Sequence, residues 1–390
     1  MPSTSGALRA WLVAVLAVFF AAACGAGAPE EAGPPEESEP TVVESAEETE
    51  GAPEEAAAAG DSPVDVEVGT FVGGLEAPWD VAFLPEGDAL VTERDSDLIL
   101  RIDEEGNVEE VQTITSEGGG EGGLLGLAVS PEYEEDEWVY AYFTSGEDNR
   151  IVRFRLGEEP EEVFTGIPAG AIHNGGRIEF GPDGMLYAGT GDSGEESLSQ
   201  DPDSPAGKIL RLTPEGAVPE DNPVPGNPMY AMGFRNVQGL AWDENEQLFA
   251  TEFGPDVDDE VNRVEAGENY GWPEVTGEGG EPEYVDPIAV FDPAEASPSG
   301  AEILVGGAIP QWEGDFFMTA LRGQILWRLA LDESGEVAEM ESLLEGEHGR
   351  LRHVEQAPDG SLWVLTNNRD GRGDPEEGDD RILRLGPSEQ

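Results

Sequence analysis

Six segments of the chain share one pattern of hydrophobic and polar positions. In each, a short apolar run leads into a polar turn rich in Pro, Asp, Asn, Glu or Gly and then into a second apolar run. The segments are VAFLPEGDALVTE (81–93), LAVSPEYEEDEWVYAYF (127–143), IEFGPDGMLYAGTGD (178–192), LAWDENEQLFATE (240–252), GGAIPQWEGDFFMTAL (306–321) and VEQAPDGSLWVLTN (354–367). Proline presets the turn dihedral, and Asp, Asn and Gly tolerate the tight positions that follow. Each segment therefore predicts a β-hairpin.

A shorter segment follows each predicted hairpin and contains an arginine preceded by apolar residues. The six arginines are Arg101, Arg153, Arg211, Arg263, Arg328 and Arg384. A period of roughly fifty residues, several short strands per unit and no helical periodicity predict blades of sheet around a central channel. The fold class we predict is all-β, a six-bladed β-propeller of four-stranded antiparallel blades. Since a residue repeated in every blade is more often scaffold than site, we assign these arginines a structural role.

The N-terminal part of the chain lacks this repeat. Residues 11–23 are apolar, too short a run to span a bilayer but of the length of a secretory h-region. Cys24 follows three alanines and resembles the cysteine of a bacterial lipobox. We therefore expect 1–24 to be a signal peptide, and the mature protein to be anchored through Cys24 at the cell surface or in the periplasm. The alternative is ordinary cleavage beside an incidental cysteine, which would give a secreted protein.

Composition sets the remaining boundaries. Residues 25–63 are almost entirely Glu, Ala, Pro, Gly and Ser, which predicts an acidic disordered tether because such a segment buries too little apolar surface to fold. Residues 64–390 then form the propeller domain. The chain has 85 acidic and 19 basic residues, a net charge of −66, which disfavours nucleic acid and anionic membranes as partners. The single cysteine excludes an intrachain disulfide.

Polar residues that interrupt the repeat converge at one end of the predicted propeller. The two open ends of a hairpin lie together, opposite its turn, so residues just before its first strand and just after its second strand must meet. The residues found at these positions are Glu121, His173, Asp192, Arg235, Asn236, Glu252, Gly254, Pro255, Arg322, Arg350 and Arg352. The sequence therefore predicts a functional site at this mouth of the channel.

The chemistry of these residues indicates a base and an anion-binding site. A histidine beside a carboxylate, as His173 and Asp192 would be, is the usual arrangement for proton abstraction near neutral pH. The alternative is a hydrogen-bonded structural histidine, the role we assign to His348 and His353. Four arginines clustered in so acidic a chain predict a ligand with several carboxylates, because guanidinium binds carboxylate through paired hydrogen bonds.

Other catalytic signatures are weak or missing. The acidic run 256–260 has the oxygen-rich character of a calcium loop, but any short acidic run is weak evidence in this chain. The sequence has no G-x-S-x-G nucleophile motif, no phosphate-binding loop with its lysine and no H-E-x-x-H zinc motif.

At these same residues the sequence resembles the glucose/sorbosone dehydrogenase family. That family includes soluble quinoprotein glucose dehydrogenases and bacterial aldose sugar dehydrogenases that use pyrroloquinoline quinone (PQQ). The likeness extends roughly from Leu75 to Leu385. Its most specific stretches are 121–126 (EGGLLG), 173–192, 233–240 (GFRNVQGL) and 252–273, which ends in NYGWP.

The resemblance implies a role for each matching residue. His173 matches the base that takes the proton of the anomeric hydroxyl as hydride passes to the quinone, and Asp192 matches the acid that orients this histidine or the sugar. Groups that hold the carboxylates and quinone oxygens of PQQ are matched by Arg235, Asn236, Arg350 and Arg352. Backbone carbonyls that bind a catalytic calcium ion are matched by Gly254 and Pro255, and ligands of a second, structural calcium by Glu260 and Tyr270.

Two cofactor-site residues differ from the glucose dehydrogenases. Glu121 replaces a glutamine and adds negative charge near a tricarboxylate, which weakens binding unless an arginine or calcium compensates. Arg322 replaces a lysine, keeping the charge but changing its geometry. The expected function is PQQ- and calcium-dependent oxidation of aldose sugars to lactones, with an unidentified electron acceptor. The alternative is a non-catalytic ligand-binding propeller, and a calcium-dependent lactone hydrolase is disfavoured because it gives the arginines no role.

Overall fold

The computed structural model describes residues 66–280 and 282–388, so the predicted signal peptide and tether lie outside the described residues. The described chain forms six four-stranded antiparallel sheets, which confirms the predicted six-bladed β-propeller. Strands of blades 1 to 3 are β2 (Pro78–Phe83), β3 (Ala89–Glu93), β4 (Leu98–Ile102), β5 (Val108–Thr113); β6 (Leu124–Val129), β7 (Val139–Thr144), β8 (Asn149–Phe154), β9 (Glu161–Ile167); and β10 (Ile178–Phe180), β11 (Leu186–Gly189), β12 (Lys208–Leu212), β13 (Met229–Met232).

Blades 4 to 6 repeat the same order from the axis outward. Their strands are β14 (Val237–Trp242), β15 (Leu248–Glu252), β16 (Asp259–Val264), β17 (Ala289–Phe291); β18 (Pro298–Ile303), β19 (Phe316–Ala320), β20 (Ile325–Leu331), β21 (Val337–Leu343); and β22 (Leu351–Gln356), β23 (Leu362–Thr366), β24 (Arg381–Pro387), with β1 (Val66–Gly73) as the outer strand of blade 6. Short helices interrupt the blades at α1 (Tyr133–Asp136) and at two 3₁₀ turns, Glu196–Gln200 and Pro310–Trp312. No helix in the described part of the chain is long and apolar enough to cross a membrane.

The first and last strands of the chain close the ring. Strand β1 pairs antiparallel with β24, with Val68 opposite Leu385. Composition predicted the start of the folded region at residue 64, near this strand, but not the partner of the strand, because pairing across the whole domain leaves no local signal. The first strands of neighbouring blades pack against one another around the axis, except between blades 3 and 4, where β11 packs against β14.

The hydrophobic core is divided into six clusters, each filling the space between two neighbouring blades. Between blades 1 and 2, for example, Leu90 and Ile99 pack against Leu124 and Phe154, and all four are buried. The two faces of an inner strand such as β3 or β19 therefore serve two different interfaces, which is why these strands are nearly continuous apolar runs.

The six repeated arginines all form ion pairs with carboxylates. In blade 3, Arg211 contacts Asp183 at 2.9 Å and Asp221 at 2.8 Å, and in blade 5 Arg328 contacts Asp315 at 2.6 Å. The remaining pairs are Arg101 with Asp88, Arg153 with Glu161, Arg263 with Glu336 and Arg384 with Asp359. Each thus ties a third strand to a nearby turn or strand, as expected of scaffold residues.

Candidate active site

A cavity of about 230 Å³ opens at one end of the channel and receives residues from all six blades. Five arginines line it: Arg94, Arg235, Arg322, Arg352 and Arg372. Three carboxylates line it: Glu121, Asp259 and Asp370. Five cations against three anions reverse the sign of a chain whose net charge is −66. The cavity is therefore a local site for an anionic ligand.

His173 and Asp192 come together at the edge of this cavity. His173 precedes β10 and Asp192 follows β11, and their Nδ1 and Oδ1 atoms lie 2.6 Å apart. Asp192 also accepts hydrogen bonds from the Trp272 indole N–H at 2.9 Å and the Gly194 N–H at 2.7 Å. Burial raises the pKa of Asp192, but these hydrogen bonds, that of His173 first among them, lower it below its usual value overall.

An ionised Asp192 fixes the orientation and the tautomer of His173. Because the carboxylate is only an acceptor, Nδ1 carries the shared proton and Nε2 remains the basic nitrogen. The close approach of the two segments depends on Gly191, where a Cβ would lie 2.0 Å from the His173 carbonyl oxygen. The geometry is that of a base held by an orienting acid.

Arg235 and Asn236 line the neighbouring wall. The Arg235 guanidinium lies 5.5 Å from the Trp272 ring centroid and donates to the Phe253 carbonyl at 3.4 Å. The Asn236 side-chain oxygen accepts the Gly175 N–H at 2.9 Å, which fixes the amide beside the histidine loop. Trp272 therefore contacts both the acid of the His–Asp pair and a cation of the anion site.

Arg352 forms the cationic floor of the cavity. It is buried, donates to the Gln238 side-chain oxygen at 2.9 Å and lies 5.7 Å from the Trp79 ring centroid. Its Nε has no hydrogen-bond partner among the described residues. Burial, with repulsion from Arg94 and Arg350, lowers the pKa of Arg352 to about 9. The guanidinium stays charged at neutral pH and forms no ion pair with a carboxylate of the described residues, so a bound carboxylate would supply one.

The other two expected arginines occupy different positions. Arg322 lines the rim of the cavity and is exposed. Arg350 does not line it: its Nε and Nη2 atoms donate to Asp370 Oδ2 at 2.9 and 2.8 Å, and Asp370 is the residue at the cavity wall. Direct ligand binding by Arg350 is thus not supported, because the loop between β23 and β24 lies over it and supplies its carboxylate partner.

Two cavity arginines were missed by the sequence reasoning. Arg94 follows the second strand of the first hairpin, as Asp192 follows that of the third, so the hairpin rule was sufficient to find it. Arg372 lies in the β23–β24 loop, which has no distinctive pattern, and its Nη2 contacts Glu121 Oε1 at 2.9 Å. An arginine therefore compensates the negative charge that Glu121 adds.

The backbone at Gly254 and Pro255 is available to a cation. Both residues line the cavity, and neither carbonyl oxygen accepts a hydrogen bond from the described residues. Asp259 braces this turn by accepting the N–H groups of Gly254 at 2.8 Å and Ser297 at 2.7 Å. Burial raises the pKa of Asp259 to about 6. Within the described ranges no three His, Cys, Asp or Glu side chains form a metal site, so a calcium ion here would rest on main-chain oxygens.

The proposed ligands of a second calcium are only partly in place. Glu260 lies opposite Glu252 on the neighbouring strand, and burial followed by mutual repulsion raises the pKa of Glu252 well above its usual value. A cation beside this pair would relieve that repulsion. The Tyr270 hydroxyl, however, donates to the Arg263 carbonyl and accepts the Glu265 N–H, both at 2.8 Å. Ligation by Tyr270 would therefore have to use its main-chain carbonyl.

The fold and the cavity together define a class: β-propeller enzymes that place a histidine base beside an anion-binding pocket on the propeller axis. Residues 75–383 match the model of the glucose / sorbosone dehydrogenase family, and the chain belongs to that family. The resemblance seen in the sequence motifs is thereby confirmed.

Similar proteins agree with this assignment over most of their length. The structure of the PQQ-bound aldose sugar dehydrogenase of Streptomyces coelicolor is 50% identical, with a TM-score of 0.78, covering 83% of this chain and 99% of that one. Aldose sugar dehydrogenase of Escherichia coli is 28% identical over 80% of this chain and 92% of its own. Quinoprotein glucose dehydrogenase B of Acinetobacter calcoaceticus is 26% identical over 76% and 84%.

Proposed function

We propose that this protein is a PQQ- and calcium-dependent aldose sugar dehydrogenase that oxidises its substrate to a lactone at the mouth of the propeller channel. One observation carries the proposal: the 2.6 Å contact between His173 and Asp192 lies at the edge of a cavity lined by five arginines. A base alone fits many reactions, and an anion site alone fits a binding protein. Their combination fits oxidation of a hydroxyl beside an anionic cofactor.

The residues that line the cavity fit a tricarboxylate cofactor. Arg235, Asn236, Arg322 and Arg352 would hold it, with Arg94 added from the structure, whereas the Arg350 guanidinium is already paired with Asp370. The Nε atom of Arg352, which has no hydrogen-bond partner among the described residues, would donate to one of its carboxylates. When bound, PQQ supplies the two-electron acceptor, and calcium held by the carbonyls of Gly254 and Pro255 supplies Lewis-acid assistance.

The protein's part in the reaction is proton transfer. The Nε2 atom of His173 accepts the proton of the anomeric hydroxyl while the C1–H bond breaks and its electron pair leaves with the hydrogen to the acceptor. The carbonyl that forms at C1 makes the product a lactone. Asp192 stabilises the imidazolium through Nδ1 and remains ionised, as the hydrogen bonds that lower its pKa favour.

Titration of apoprotein with PQQ, with and without calcium, tests binding by absorbance, and dye reduction across a panel of aldoses tests turnover. The proposal predicts saturable binding and dye reduction with at least one aldose. Binding without turnover on any sugar would favour the alternative of a non-catalytic ligand-binding propeller. The His173→Ala variant separates the two further, since the enzyme would lose turnover but retain cofactor, whereas a binding protein would be unaffected.

Export of the protein is a separate proposal, supported by the residue pattern of 1–24 alone. Mass spectrometry of membrane-associated protein would find a diacylated Cys24 at the mature N-terminus. A Cys24→Ala variant should then leave the membrane fraction. An unmodified N-terminus beyond residue 24 would indicate secretion without an anchor.

A further inference from the structure

Glu121 and Arg372 form an ion pair across the cavity that also contacts the backbone of His173. The Glu121 Oε2 atom accepts the His173 N–H at 2.9 Å, and Oε1 accepts from Arg372 Nη2 at 2.9 Å. Glu121 belongs to the loop before β6 in blade 2, and Arg372 to the β23–β24 loop of blade 6. One carboxylate thus joins two distant loops to the catalytic histidine.

His173 needs such a support because its backbone is strained. Its φ is 56°, in the left-handed region that a non-glycine residue adopts only when its surroundings hold it there. Three contacts hold it: the Glu121 carboxylate on its N–H, the Ser193 N–H on its carbonyl at 3.1 Å, and Asp192 on its ring. The first of these is a charge-assisted hydrogen bond and is the strongest of the two main-chain contacts.

The loop that carries Glu121 is fixed against the histidine segment. The Glu121 N–H donates to the Ala171 carbonyl at 3.0 Å, so main chain and side chain of one residue both contact residues 171–173. Gly120 makes this approach feasible, since a Cβ there would lie 2.1 Å from the Ala171 carbonyl oxygen. The carboxylate is thereby held at one distance from the His173 amide.

The charge of Glu121 is maintained by its partners. The Glu121 side chain is 23% exposed. Burial raises the pKa of its carboxyl group, but the hydrogen bonds from the His173 N–H and from Arg372 outweigh burial, so the pKa is lowered overall. An ionised carboxylate only accepts hydrogen bonds, so it has none to donate to the carboxylates or quinone oxygens of an anionic cofactor. Direct binding of the cofactor by Glu121, the role expected from the family motif, is therefore disfavoured.

We infer that Glu121 and Arg372 are positioning residues: Arg372 holds the Glu121 carboxylate in place, and that carboxylate holds His173 in its strained, catalytically competent conformation. The inference rests on the proposed role of His173 as the base. Glu121, which differs from the glutamine of the glucose dehydrogenases, thus supports the catalytic histidine, and an arginine from another blade compensates its charge.

Two glutamate variants test the contact. In Glu121→Gln the amide oxygen still accepts the His173 N–H, while Glu121→Ala removes the acceptor. In ¹⁵N-histidine-labelled apoprotein, which has three histidines, His173→Ala assigns the His173 signals. We expect Glu121→Ala to broaden or shift the ring signals of His173 and leave those of His348 and His353 unchanged, and Glu121→Gln to restore the wild-type pattern. Unchanged His173 signals in a folded Glu121→Ala protein would overturn the inference.

Kinetics and cofactor binding supply the second readout. We expect Glu121→Ala to lower kcat by about 10- to 100-fold and Arg372→Gln by several-fold, with KM for sugar and the Kd for PQQ changed less than about 2-fold. Arg155→Gln, which removes an arginine on the outside of blade 2, is the matched control and should match wild type. A large loss of PQQ affinity in Arg372→Gln with normal kcat would instead make Arg372 a cofactor ligand and refute the inference.

Failure of the proposed function would give a different result from failure of this inference. Wild-type apoprotein that binds no PQQ would refute the proposed enzyme, while the histidine spectra would still decide whether Glu121 holds His173. The two conclusions therefore fail independently.

Discussion

A cluster of buried and half-buried acids in the channel should make the propeller less stable as pH rises. Asp80, Glu179, Glu302 and Glu355 come from the innermost strands of blades 1, 3, 5 and 6. Three of them, Asp80, Glu179 and Glu355, lie near Arg177. Burial raises the pKa of Glu302 to about 7 and that of Asp80 to about 6, against the opposing effect of Arg177 on Asp80. Burial and then repulsion from Glu302 raise the pKa of Glu179.

The sign and size of the effect follow from these pKa values. A carboxyl group whose pKa is raised in the folded state stabilises the fold while protonated, so its contribution is complete below pH 4.5 and is lost as pH rises to about 7. One pKa unit corresponds to about 1.4 kcal/mol, so the shift of Glu302 alone is equivalent to about 3 kcal/mol. Since its side chain keeps some contact with solvent, we expect about 2 kcal/mol.

Replacing Glu179 by Gln tests this reasoning. No described residue donates a hydrogen bond to the Glu179 carboxylate, so the amide loses no partner and removes one charge next to Glu302. We expect Glu179→Gln to raise the free energy of unfolding by about 1 to 2 kcal/mol at pH 8 and to change it little at pH 4.5. Denaturant unfolding followed by circular dichroism at both pH values measures the difference.

An exposed glutamate provides the control. Glu134→Gln on α1 removes the same charge from the surface and should change stability by less than about 0.5 kcal/mol at either pH. If Glu179→Gln behaved like Glu134→Gln at pH 8, or gained equally at pH 4.5, the cluster would not carry the repulsion we assign to it.

Three further variants test the site and its supports. Asp192→Asn should lower kcat by about 10² to 10⁴-fold in the dye assay, because the amide no longer fixes the basic tautomer of His173. Absorbance titration should find PQQ affinity nearly unchanged, and weakened binding with normal kcat would contradict this role. Arg352→Met should raise the melting temperature of the apoprotein, because it removes a buried guanidinium that forms no ion pair with the described residues. The same variant should weaken PQQ binding at least 10-fold, and equal binding would exclude Arg352 from the cofactor site. Lys208→Met should lower the free energy of unfolding by about 3 kcal/mol, because the ammonium donates to the carbonyls of Leu198, Ser199 and Ala206 at 2.7 to 2.9 Å. Unchanged denaturant unfolding would show that these hydrogen bonds do not stabilise the fold.

The repeat made the fold and the location of the cavity predictable from the chain. A hairpin is a local structure, so its turn residues and apolar runs can be identified within about a dozen residues. The two ends of each hairpin then had to meet at one side of the propeller. That rule placed His173, Asp192, Arg235 and Arg352 together, and it also applied to Arg94, which was overlooked.

The sequence by itself thus determined the six blades, the end of the channel that carries the cavity, and the residue types gathered there, because these depend on patterns within single blades. Only the tertiary structure decided the pairing of β1 with β24, the placement of Arg350 behind Asp370, and the contact of Trp272 with Asp192. It also brought Arg372 to Glu121 from the other end of the chain. The pairing of β1 with β24 and the contact of Arg350 with Asp370 join distant parts of the chain within blade 6, and the other two contacts join different blades. None of them depends on neighbouring residues in the sequence, so no local pattern records them.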